Sequence, residues 1–145
     1  MKKIISIILL IAWSLLIFCF SSNNGIESSS LSGKVTDVVI DVLSLKPNEK
    51  QKETIHTFIR KTAHFTEYFI LGMLIVNCLI NFKISKYYLL YAILIGVIYA
   101  ISDEIHQVFV SGRVGSPVDV LIDSCGVITS VGLINLIRSK HEKRN

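Results

Sequence analysis

Arg60, His64, Glu67 and Leu71 follow one another at steps of four, three and four, so on a helix they share one face. A second polar set follows: Asp103, Glu104 and Gln107, then Arg113, Asp119 and Asp123. An imidazole beside a carboxylate can take and return a proton, so His64, Glu67, Asp103 and Glu104 are the catalytic candidates. Arg60 and Arg113 suit an anionic head group, because a guanidinium meets an oxyanion with a fixed fork of donors. Gln107, Asp119 and Asp123 join them as substrate-binding candidates.

Other chemistries are less well supplied. His64 and Glu67 form H-x-x-E, a spacing that ligates metal in helical bundles, and Asp103 or Glu104 could add carboxylates. A lone histidine among acids is a poor ligand set, and neither a metal nor another cofactor is expected. There is no G-x-S-x-G. Cys19, Cys78 and Cys125 each lie in an apolar block without C-x-x-C spacing, which excludes a disulfide framework and leaves packing as their role. A plainer reading of the charges is that Arg60, Lys61 and Arg113 pair with the acids and lock the fold. Five acids and His64 around three basic residues exceed what such pairing needs.

The elements that carry these residues are long apolar blocks, not amphipathic stripes. A block of about 18 or more apolar residues reads as a membrane span. Four are expected, over about residues 4–20, 63–82, 87–107 and 117–137. The first is read as an uncleaved span, since Phe18-Cys19-Phe20 offers no small-residue cleavage site. An amphipathic helix is expected over 33–46, with Val35, Val38, Val39 and Val42 opposite Asp37 and Asp41, and Pro47 ending it. Asn48 with Gln51 reads as a helix start. So does Ser116-Pro117, with Asp119 at the third helical position. Residues 138–145 read as a basic, disordered tail. Tyr68, Tyr87, Tyr88 and Tyr99 read as residues that anchor or pack at the interface, and His56, His106 and His141 as solvated or interfacial residues. The fold class is therefore all-α, an integral membrane bundle of four transmembrane helices in a single domain.

The third span has only about 15 apolar residues before Ser102, short of the roughly 20 that cross a bilayer. Asp103, Glu104 and Gln107 should therefore lie within the membrane, where ionisable groups face a partner or a wet cavity. Gly96 and Ala100 precede Asp103 on one stripe and let a neighbouring helix approach closely. On the last span Asp119, Asp123, Gly126 and Ser130 form a similar stripe.

Loop charge sets the orientation. With Lys2 and Lys3 in the cytoplasm, four spans put Lys83, Lys86, Arg138, Lys140, Lys143 and Arg144 there too, with Glu142 their sole acid. Both termini are then cytoplasmic, and the polar residues of three spans converge on the opposite face. The chain has 145 residues, a net charge of +4, a pI near 9.0, 51% hydrophobic residues and a mean hydropathy of +0.57. The basic residues flank apolar blocks and build no aromatic-lined groove, so the partner is a lipid bilayer and not nucleic acid.

Two stretches resemble the VanZ-like family. One is Arg60-Lys61-Thr62-Ala63-His64-Phe65-Thr66-Glu67-Tyr68 with Leu71-Gly72; the other is Asp103-Glu104-Ile105-His106-Gln107-Val108-Phe109, then Gly112-Arg113, Asp119 and Gly126. Ser21-Ser22 and residues 27–32 are similar to members from Gram-positive bacteria. Asp123 departs from the family, where many members carry Asn. The resemblance covers nearly the whole chain. It implies a membrane protein at the outer surface of the cytoplasmic membrane, near cell-wall precursors, in a family named for low-level teicoplanin resistance. The expected role is glycopeptide resistance or envelope modification, with a lipid-linked cell-wall precursor or a lipoglycopeptide as partner. Whether the site is enzymatic is open. The alternative is a non-catalytic scaffold or binding protein whose charges are structural.

Overall fold

A computed structural model describes residues 1–142 as five α-helices, with no strand among the described residues. They are α1 (Lys2–Ser22), α2 (Gly25–Val42), α3 (Glu49–Phe82), α4 (Tyr88–Val108) and α5 (Pro117–Glu142). Four of these, all but α2, are long and apolar enough to cross a membrane. Their outward faces carry Ile8, Leu15, Leu94, Ile98, Leu121 and Leu133, all exposed. Such faces suit a lipid solvent and not water. The fold is an all-α integral membrane bundle.

Local chemistry sets the helix ends. Asn48 and Gln51 form a reciprocal capping box at the start of α3. Ser116 Oγ accepts from the Asp119 amide at 3.3 Å as α5 begins. At the other end of α3, Lys83 turns left-handed (φ 52°), and the Ile84 and Lys83 amides return to the carbonyls of Leu79 and Ile80.

The core lies between α3 and its neighbours. Tyr68, Leu71, Ile75 and Val76 of α3 are buried with Ile17 of α1, Ala92 and Ala100 of α4 and Val127 and Val131 of α5. Small residues set the helix spacing: a Cβ on Gly96 would meet the Val127 side chain at 2.6 Å, and one on Gly126 would run into the Phe65 carbonyl. Interhelical hydrogen bonds add to this. Trp13 Nε1 donates to the Glu67 carbonyl at 2.9 Å, and the Tyr99 hydroxyl to the Ser14 carbonyl at 2.7 Å.

Three sequence expectations need correction. The helix expected over 33–46 starts at Gly25, with the Asn24 side chain accepting from the Glu27 amide at 2.9 Å. It ends at Val42, ahead of Pro47, because Ser44 is left-handed (φ 50°) and the Leu45 amide returns to Ile40. Residues 138–142 continue α5 as helix and are not a disordered tail; Lys143 and Arg144 lie outside the described residues. Tyr68 packs in the core with 0% exposure and not at the interface.

Candidate functional site

α3 presents Arg60, His64 and Glu67 at successive turns, and α4 presents Asp103 and Gln107 one turn apart. These five and Arg113 line one half-enclosed cavity of about 180 Å³. The rest of its lining mixes apolar and small polar side chains: Ile17, Phe20 and Ser21 from α1, Ser28, Leu31, Ser32 and Val35 from α2, and Ile59 of α3. α2 thus closes the side of a site that the other helices build.

Each polar residue has a distinct setting. The Gln107 amide donates to Asp103 Oδ2 at 3.1 Å, and both residues are buried. Arg113 spends its fork on three acceptors: the Asn23 carbonyl (2.9 Å), the Phe20 carbonyl (2.9 Å) and Gln107 Oε1 (2.8 Å). Burial, and after it the nearby Arg60 charge, lowers the Arg113 guanidinium from its ordinary pKa. Arg113 therefore ties the end of α1 to the floor of the cavity. Arg60 and Glu67 differ from it: among the described residues neither side chain closes an ion pair or a hydrogen bond. They are the cavity's uncommitted charges.

Behind His64 lies Asp123. Its side chain is fully buried, and its Oδ1 is 3.4 Å from His64 Nδ1, without a well-aligned hydrogen bond. A carboxylate on Nδ1 favours the tautomer with its proton there, so Nε2 is the nitrogen left to exchange a proton. The Tyr68 hydroxyl is buried beside Asp103, again without an aligned partner. Sequence reasoning missed Tyr68 as a site neighbour. Its place directly after Glu67, level with Leu71 on the packed side of the helix, is the signal that could have found it.

Glu104 and Asp119 lie outside the cavity lining. Glu104 Oε1 accepts from the Ser116 amide and so caps the start of α5 from a neighbouring helix. Asp119 pairs with Lys61 at 3.2 Å. Of Arg60, Lys61 and Arg113, only Lys61 pairs with an acid among the described residues. No group of three or more His, Cys, Asp or Glu side chains is arranged to hold a metal ion among them.

These residues and this four-span bundle define a membrane protein with one cavity that charged and apolar side chains line together. The chain matches the VanZ/LLP1 family over residues 6–138, nearly its whole length, and belongs to that family. No curated protein and no solved structure matches it.

Proposed function

We propose that this VanZ/LLP1 protein acts at the outer face of the cytoplasmic membrane, as a single domain with both termini in the cytoplasm. In this reading the cavity binds one end of an amphipathic envelope molecule, a lipid-linked cell-wall precursor or a lipoglycopeptide. That action modifies the envelope and lowers susceptibility to teicoplanin. The observation that carries the reading is the cavity itself, where apolar side chains of α1 and α2 and uncommitted Arg60 and Glu67 share one lining. Orientation is supported by charge: Lys2, Lys3, Lys83, Lys86, Arg138 and Lys140 belong to helix ends and a loop remote in the chain from the cavity residues, as cytoplasmic basic residues would be.

Size limits what enters. A cavity of about 150 Å³ holds benzene, so one of about 180 Å³ takes a head group or chain end and not a whole glycopeptide. His64 would move a proton at Nε2, with Asp123 holding the ring and Glu67 as the facing carboxyl. Arg60 would hold an oxyanion.

A second reading is a non-catalytic scaffold, favoured by Arg113, Lys61 and Glu104, whose contacts all join elements of the bundle. Glu67→Asp separates the two. It keeps the charge and shifts the carboxyl by one methylene, so teicoplanin protection of a sensitive Gram-positive host should fall to the vector level if proton transfer is at work. Full protection by Glu67→Asp at matched membrane levels would leave the scaffold.

A further inference from the structure

The cavity is polarised along α3. Arg60 stands at one end of the α3 stripe that lines it. Glu67 stands at the other, and Asp103 lines the same cavity from α4, where it accepts from Gln107. Seven residues of helix separate Arg60 from Glu67, about 10 Å along the axis, with His64 between them. Arg113 contributes charge but few free donors, since its fork is engaged. Arg60 keeps its donors and Glu67 its acceptors.

This arrangement discriminates by sign. A simple anion seated on Arg60 would place its remaining negative surface against Glu67 and Asp103. A simple cation on those acids would face Arg60 along α3 and Arg113 beside Gln107. Each mismatch counts against the wrong ligand in a partly desolvated site. We infer that the cavity selects a zwitterion, with a phosphate at Arg60 and a primary amine at Glu67 and Asp103. A primary ammonium brings donors for two carboxylates, whereas a quaternary one brings none. The guanidinium fork matches the phosphate. The amine leads along α3, and any acyl chain leaves past Leu31 and Val35 of α2. The inference rests on the reading that the cavity binds an envelope amphiphile, and it names that molecule's head-group chemistry. A phosphoethanolamine lipid and a free phosphorylated amino alcohol both carry it.

The test uses the full chain in detergent and native mass spectrometry. The probe is an equimolar mixture of phosphoethanolamine, phosphocholine and phosphoglycerol lipids with identical chains. The phosphoethanolamine lipid should be retained about tenfold over the other two, the worth of one charged hydrogen bond. Glu67→Gln should remove its advantage over the phosphoglycerol lipid, and Arg60→Gln should weaken all three. Asp41→Asn, exposed on α2 and outside the cavity, should bind as wild type and serves as the folding control. Soluble phosphoethanolamine that displaces the lipid would assign the head group as sufficient; failure to displace would assign the intact lipid, and both results support the zwitterion. Equal retention of phosphoglycerol and phosphoethanolamine lipids, still lost in Arg60→Gln, would overturn the amine assignment and leave the cavity reading standing. Retention indifferent to both Arg60→Gln and Glu67→Gln would overturn the two together.

Discussion

His64 Nδ1 lies 3.4 Å from Asp123 Oδ1, and the Asp123 side chain has no exposure. A buried carboxylate tolerates this setting through its partner, and removing the partner leaves a desolvated charge. His64→Leu is therefore expected to lower stability by about 3 kcal/mol. Asp123→Asn, which removes the charge and keeps the shape, is expected to stay within about 1 kcal/mol of wild type. Thermal unfolding in detergent reads both. Equal losses would show that charge is not what His64 compensates.

Helix spacing gives a sharper contrast. A Cβ at Gly126 would press on the Phe65 carbonyl and the Phe69 amide, whereas one at Gly132 meets nothing within 4 Å. Gly126→Ala should cost roughly 1–3 kcal/mol by forcing α3 and α5 apart, and Gly132→Ala should be neutral. Melting followed by size-exclusion chromatography distinguishes them. Similar melting for the two would mean that α3 and α5 do not pack as closely as described.

Much of this was legible in the chain. Apolar blocks are the least ambiguous sequence signal, and they located α1, α3, α4 and α5. The stripe Gly96, Ala100, Asp103 and Gln107 is buried along its whole length, and Gly96 leaves the room that the Val127 side chain fills. The caps at Asn48 and Ser116 were also readable. The early start of α2 was not. Half of residues 25–32 are serine, which reads as linker, and their helix is held by contacts distant in sequence. Gly25 N donates to the Ser111 carbonyl at 3.1 Å, and Gly112, with φ 73°, packs on Gly25 where no side chain would fit. Glu104 was equally opaque. Beside Asp103 it reads as a site acid, and only the fold shows it capping α5.

That capping role carries its own prediction. Glu104→Gln keeps an acceptor for the Ser116 amide and should leave protection and stability near wild type. Glu104→Ala removes it and should cost about 1 kcal/mol. Loss of teicoplanin protection in Glu104→Gln, with normal membrane levels, would return Glu104 to the working residues.

Arg113 should be intolerant of lysine. Its fork reaches the Phe20 and Asn23 carbonyls and Gln107 together, and an ammonium cannot span that set. Arg113→Lys is expected to lose about 2 kcal/mol, and to expose the 109–116 turn to protease as fully as Arg113→Gln does. Full rescue by lysine would reduce Arg113 to a charge.

The most direct measurement places a thiol in the cavity wall. Ala63 lines the cavity and is exposed, so Ala63→Cys, with Cys19, Cys78 and Cys125 changed to alanine, should fold normally. On intact cells a membrane-impermeant maleimide should modify that thiol, and modification should abolish teicoplanin protection that the unmodified variant retains. Modification only after the membrane is permeabilised, or protection that survives full modification, would contradict a working cavity at the outer face.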